Sequence, residues 1–339
     1  MIQSICRSII EGTPLPPGAI GSAFDDLISG CATPAQAGAF LTALRHHTLT
    51  GEDLSLCASY LLSHARPLSL QGAEKAVDTC GTGGDHAMTF NISTAAAFVT
   101  AGAGIPVLKH GNRAVTSRSG SADLLAELGV APGLPSGKVG EALRVAGIAF
   151  LPAGQYHPVM RSLASIRSEL GFRTIFNILG PLSHPAGPVN RLLGVADPAL
   201  LHPMAEALRS LGVRRALVVS GAGLDELALH GENRILELKD GTISEYTLLA
   251  SDLGLSDAPV TSLRVENPAE SAGVVRALLN GEEGPCRDIV LLNAAGAIIA
   301  GGGAETFPAA LSIAEASIDD GRAAESLRLL AGFSRGDLS

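Results

Sequence analysis

Hydrophobic positions change rhythm near residue 68 of this 339-residue chain. Before that point apolar residues recur at three- and four-residue spacing, over 19–29 and 37–44, which predicts amphipathic helices separated by turns at 14–18 and 48–51. Thr33-Pro34-Ala35-Gln36 reads as an N-cap followed by proline at the first helical position. Thr50 with Asp53 marks another helix start, before 54–62. Beyond Pro67 short apolar runs alternate with helical patterns. A strand over 76–80 leads through a glycine turn to a helix at 94–103 and a strand at 106–109. A second loop then enters a helix at 122–128, stopped by Gly129. Residues 216–220 form a continuously apolar strand, and Lys239-Asp240-Gly241 within 235–249 signals a hairpin. This alternation predicts an α/β sheet whose ligands bind beyond the carboxyl ends of the strands.

Composition narrows the class. Hydrophobic residues at 46% and charged residues at 17% suit a packed globule large enough for two domains. The longest apolar stretches, 95–108 and 289–300, are interrupted by Thr100 and Asn293 and fall short of the ~18 residues of a membrane span. No membrane association is expected, and residues 1–11, which include Gln3, Ser4, Arg7 and Ser8, lack the apolar core of a signal peptide. Five widely spaced cysteines without a CxxC pair predict free, mostly buried thiols and a cytoplasmic location.

Charge is unevenly spread. The net charge of −9 argues against nucleic acid as a partner. Yet 86–122 contains no acid beside Lys109, Arg113 and Arg118, and 142–196 has only Glu169 against Arg144, Arg161, Arg167, Arg173 and Arg191. These stretches carry +7, leaving −16 for the rest. Such a distribution can focus a small anion into a cleft.

Two segments carry candidate chemistry. In Asp78-Thr79-Cys80-Gly81-Thr82-Gly83-Gly84-Asp85 a glycine turn allows backbone N–H groups to approach phosphate oxygens. Asn91, Ser93 and Thr94 follow at a helix start, which attracts anions. Taken alone, GTGG is a weak signal, lacking the spacing of a dinucleotide fold or a P-loop. Asp85 beside a phosphate loop implies a metal, hydroxyl or amine. The second segment, 109–123, follows a strand and combines Lys109 and Arg113 with Ser117, Ser119 and Ser121, donors suited to a polyphosphate.

DTCGTGGD, TFNIST, KHGN and RSGSAD, in this order and spacing, resemble the anthranilate phosphoribosyltransferase family. The likeness continues through His157-Pro158, Arg167-Ser168-Glu169-Leu170-Gly171-Phe172-Arg173-Thr174, Phe176-Asn177-Ile178-Leu179-Gly180-Pro181-Leu182, residues 190–195 and Gly223-Leu224-Asp225-Glu226. It covers roughly residues 20–300.

The resemblance implies a small all-helical domain, 1–68 plus about 160–183, and a larger α/β domain, 72–158 and 186–339, with a central, mostly parallel sheet flanked by helices. It implies transfer of a phosphoribosyl group from 5-phosphoribosyl 1-diphosphate (PRPP) to the amino group of anthranilate, with Mg2+ and release of diphosphate. PRPP would be bound by Gly81, Gly84, Asp85, Thr89, Asn91, Ile92, Ser93, Thr94, Lys109, His110, Gly111, Asn112, Arg113, Ala114, Val115, Thr116, Ser117 and Ser121. Anthranilate would be bound by Gly81, Asn112 and Arg167, with His110 and His157 beside it, and magnesium by Ser93, Asp225 and Glu226. Two adjacent carboxylates after a buried strand suit a hard cation bridged to phosphate, and a guanidinium suits the anthranilate carboxylate. No general base is assigned, because proton loss after amine attack needs only a weak acceptor. Tyr156 and Ser165 depart from residues common in the family, His and Pro respectively, near the inferred anthranilate pocket. A homodimer through the helical domain is implied as well. The alternatives are a nucleoside phosphorylase, which needs neither the acidic pair nor an arginine for anthranilate, and a noncatalytic nucleic-acid-binding relative, which would show a basic surface.

Overall fold

The computed structural model describes residues 1–113, 119–187 and 189–338. The chain opens with helices α1 (Ile2–Glu11), α2 (Ala19–Ile28), α3 (Pro34–Leu44) and α4 (Gly51–Ser63). Their starts follow from local hydrogen bonding. Gln36 N–H donates to Thr33 Oγ1 while the Gln36 side chain accepts from Thr33 N–H, a reciprocal box at α3. Thr50 and Asp53 close the same box at α4.

Seven strands form one sheet in the order β3-β2-β1-β4-β5-β6-β7. These are β1 (Val77–Gly81), β2 (Val107–Gly111), β3 (Ile148–Pro152), β4 (Asn190–Gly194), β5 (Arg215–Gly221), β6 (Glu232–Lys239) and β7 (Thr242–Leu249). The first five are parallel; β6 and β7 are antiparallel, joined by the expected hairpin. Asp240 at φ 47° and Gly241 at φ 85° supply the left-handed pair that such a tight turn requires. From central β1 the chain steps outward to β2 and β3, then returns to β4 on the other side. The order therefore reverses beside β1, and the crevice beyond its carboxyl end is where a parallel sheet takes its ligand.

The sheet is buried on both faces, and its alternation sorts side chains into two cores. Leu192, Leu217 and Val219 face one; Leu193, Ala216 and Val218 face the other. The first contains helix α5 (Ile92–Gly102), whose residues from Ala95 to Ala101 are all buried, as a helix wrapped on every side must be. The second joins the sheet to α1–α4, to helix Leu201–Ser210, and to Leu163, Ile175, Phe176, Leu179 and Leu182. Phe24 of α2 meets Phe176 with ring centroids 5.2 Å apart. The segment leading to Leu182 thus packs with the opening helices although it lies between β3 and β4 in sequence. Among the described residues no helix is long and apolar enough to cross a membrane.

Candidate active site

Strands β1 and β4 end in Gly81 and Gly194 because the loop after β5 crosses directly over them. A Cβ on Gly81 would strike the Asp225 carboxylate, and one on Gly194 would strike the Asp225 carbonyl. Asp225 Oδ2 accepts from Gly83 N–H at 2.6 Å, and Glu226 Oε1 accepts from Ser93 N–H at 3.1 Å. The glycine loop and the first turn of α5 therefore offer backbone donors here to protein carboxylates. A helix N-terminus favours either kind of anion.

The acidic loop is pinned from beneath by two buried asparagines. Asn293 accepts from Leu227 N–H and donates to Leu227 O, both at 2.9 Å. Asn233 accepts from Ala228 N–H at 2.7 Å and donates to Ala228 O at 2.9 Å. The asparagine that interrupts the apolar run 289–300 is thus the bracket of the residues following Glu226. Neither asparagine was foreseen as a site residue; for Asn293 the signal is a lone amide inside a buried helix.

Asp225 and Glu226 sit deep yet keep part of their surface open to solvent. Burial pushes Asp225 above the ordinary carboxylate range, and Asp85 adds to it; burial and then Asp225 do the same to Glu226. A divalent cation would relieve both effects. Two adjacent carboxylates suit magnesium, which is commonly held by one or two carboxylates with phosphate oxygens and waters completing its shell.

Beneath this loop lies an internal layer of charge. Lys109 is buried, its Nζ donating to Thr79 O at 2.6 Å, to Thr79 Oγ1 at 3.3 Å and to Ser93 Oγ at 3.4 Å. Asp78, also buried, accepts from His110 N–H at 3.1 Å. Arg191 is fully buried and donates to the carbonyls of Pro181, Val189 and Asn190. Two of the basic residues in the acid-poor stretches are therefore committed internally, so the positive segments are only partly a ligand surface. The Asn91 side chain is committed too: Nδ2 donates to Ser119 O at 3.0 Å, and Oδ1 accepts from Ser119 Oγ and Ser271 Oγ.

Ile92 and Thr94 are buried at the start of α5, with Thr94 Oγ1 unpartnered. Thr89 bridges to Arg264, and Asp85 Oδ1 accepts from Ala87 N–H at 3.1 Å. Gly84, at φ 89°, lies against Arg173. A Cβ on Gly111 would meet Ser121 Oγ, at the start of α6 (Ser121–Glu127). Arg113 is exposed. Ala114, Val115, Thr116 and Ser117 lie outside the described residues.

Next to Gly81 opens a cavity of about 440 Å³. Gly81, His110, Gly111 and Asn112 line it from the sheet; Leu61, Met160, Arg167 and Phe176 line it from the helical layer. All five residues expected around anthranilate, His157 included, border this space. Arg167 holds its Cζ 5.5 Å from the Phe176 ring centroid. Burial lowers its pKa, though a guanidinium keeps its charge. His157 Nε2 donates to Ser183 O and His184 Nε2 to Leu108 O, each at 2.9 Å. Burial keeps His110, His157 and His184 below the usual imidazole value, His110 at about 3, so all are neutral near pH 7. His110 Nε2 and His157 Nδ1 remain unpartnered. Tyr156 is buried in the α/β core and Ser165 is exposed; neither lines the cavity.

A helical bundle leaning on a parallel sheet, with a phosphate-type loop at the switch point, defines a class, and comparison with known proteins agrees. Residues 3–65 match the family model described as glycosyl transferase family, helical bundle domain, and residues 73–324 match its a/b domain. Anthranilate phosphoribosyltransferases from Moorella thermoacetica and Methanosphaerula palustris are 45% and 43% identical, covering 98% and 99% of this chain and 98% and 100% of those proteins. The Thermus thermophilus enzyme structure superimposes with a TM-score of 0.90 at 40% identity, over 97% of this chain and 99% of that one. That of Saccharomyces cerevisiae, in complex with PRPP and Mg, gives 0.88 at 30% identity, over 99% and 98%. The chain belongs to the anthranilate phosphoribosyltransferase family.

Proposed function

We propose that this chain transfers the phosphoribosyl group of PRPP to the amino group of anthranilate, giving N-(5-phosphoribosyl)anthranilate and diphosphate. The observation that carries it is the double contact of Gly81, which lies against the Asp225 carboxylate and also lines the cavity holding Arg167 and Asn112. A diphosphate-and-cation site and a carboxylate-accepting pocket share that wall.

In this assignment the diphosphate lies on Gly81, Gly84 and Asp85 and at the start of α5 with Ser93 and Thr94. Lys109 acts from below, ordering Thr79 and Ser93. Asp225, Glu226 and Ser93 would hold magnesium, which when bound would supply positive charge to neutralise the diphosphate. Arg167 grips the anthranilate carboxylate, Asn112 orients the ring, and the neutral amine is held toward the ribose carbon. The C–O bond to diphosphate breaks as the C–N bond forms, and the amine loses a proton. Positioning and preorganised charge carry the rate. Mixing enzyme, Mg2+, PRPP and anthranilate should quench anthranilate fluorescence, and a chelator should stop the decay. No decay, with no diphosphate released, would remove the assignment.

We also infer a homodimer through α1 and α3, supported by a groove of about 430 Å³ lined by Ile2, Cys6, Ile10, Ala35 and Ala39, with Ile10 77% exposed. Sedimentation of Ile10→Glu should show monomer where the parent shows dimer; a monomeric parent would refute it. Unpaired cysteines, Cys31 among them exposed, support a reducing compartment, the cytoplasm.

A further inference from the structure

We propose that Arg173 is a positioning residue of the diphosphate site, delivered to it by the helical layer; this rests on the phosphoribosyl transfer proposed above. Arg173 follows helix Ala164–Leu170 and immediately precedes Thr174, Ile175 and Phe176, of which Ile175 and Phe176 lie in the core shared with α1–α4. Its side chain reaches across the junction to the loop carried by the sheet. Nη2 donates to Thr82 O at 2.5 Å. The guanidinium lies so close over Gly84 that a Cβ there would stand 2.5 Å from Cζ, and 3.4 Å separates Nη1 from the Cβ position of Gly83. The glycines of this loop admit a flat cation as well as backbone donors. Gly84 is required twice, by that stack and by φ 89°.

The charge of Arg173 is under-compensated. Among the described residues no carboxylate pairs with it; Asp225 and Asp85 act on it from a distance, and the charge of Arg45 opposes them. A half-buried cation stacked on a loop assigned to diphosphate is placed to order that loop, and through it the backbone donors that would hold the group. Its anchorage adds a consequence. Arg167, which faces the anthranilate cavity, and Arg173, which covers the diphosphate loop, sit on one short segment of the helical layer. Both sites therefore take an arginine from the same segment.

The test is calorimetric titration of the full chain with inorganic diphosphate in excess Mg2+, comparing the parent with Arg173→Gln and Arg173→Lys. Gln retains an N–H donor for Thr82 O without charge, and Lys retains charge without the planar fork. Arg173→Gln should weaken diphosphate binding by about 10- to 100-fold, the scale of one charge-assisted hydrogen bond. Arg173→Lys should weaken it less, and both should keep a parental anthranilate KM at saturating PRPP. A parental diphosphate affinity in a folded Gln variant overturns the proposal. If the Gln variant fails to fold, Lys decides: parental affinity overturns the proposal and reduced affinity supports it. Turnover of PRPP and anthranilate by the parent separates this result from the proposed reaction, which would fall only if the parent were inactive.

Discussion

The two walls of the junction are built by different physics. The sheet wall takes its groups from strand ends and locks each with hydrogen bonds, Asp225 to Gly83, Glu226 to Ser93, Asn293 to Leu227. The helical wall consists of short helices, Val159–Ser162, Ala164–Leu170 and Phe176–Leu179, and holds Arg167 and Phe176 chiefly by packing. A wall of hydrogen-bonded backbone has one geometry, whereas a packed wall can shift by small side-chain movements. Handling a leaving diphosphate asks for the first; admitting and releasing an aromatic acceptor asks for the second.

The comparison can be broken most directly at the acidic loop. Asp225→Asn or Glu226→Gln should lower kcat by about 10²–10³-fold with little change in anthranilate KM. Retention of activity within tenfold would mean the sheet wall is not where charge is handled. Asn293→Leu strands Leu227 N–H and O, and should cost about 2–4 kcal/mol of stability in urea titrations. It should also raise the Mg2+ concentration for half-maximal rate; an unmoved Mg2+ dependence would separate loop position from that bracket. On the other wall, Arg167→Ala should raise anthranilate KM about 10- to 100-fold through loss of a charge-assisted hydrogen bond. PRPP affinity should stay nearly parental, and an equal loss of both would place Arg167 at the shared boundary.

The histidines between the walls set an acid limit. Unfolded imidazoles titrate near 6.5, whereas His110 in the fold stays neutral down to about 3, and His157 and His184 are lowered as well. Unfolding below that unfolded value takes up protons, so stability falls as pH drops from about 6.5 toward 3 and is insensitive to these groups above it. His184→Asn should reduce proton uptake on unfolding at pH 5 by about one, measured calorimetrically in two buffers. The smallest effect belongs to the periphery: Thr50→Ala should cost about 1 kcal/mol without altering either KM.

Elements were legible in sequence wherever a local rule operates. Thr50 with Asp53 announces α4, Asp240-Gly241 announces the β6–β7 hairpin, and the switch from helical to alternating rhythm separates bundle from sheet. The site was legible as motifs with their chemistry class, but not as geometry. Lys109 and Asn91 read as ligand-facing donors, yet here they face Thr79, Ser93, Ser119 and Ser271. Spacing does not reveal which way a side chain turns when a buried partner competes for it.

The acidic pair and the arginine for a carboxylate take their roles from the family resemblance; what the sequence determined by itself was a glycine loop and a donor-rich second loop suited to a polyphosphate. These depend on residue identity and short-range spacing. The tertiary structure alone decided that Gly81 touches both Asp225 and the cavity, that Asn293 holds the acidic loop, and that Arg173 crosses from one layer to lie on Gly84. Each of these contacts joins residues far apart along the chain, and only the packing of helices and loops around the sheet end brings them together.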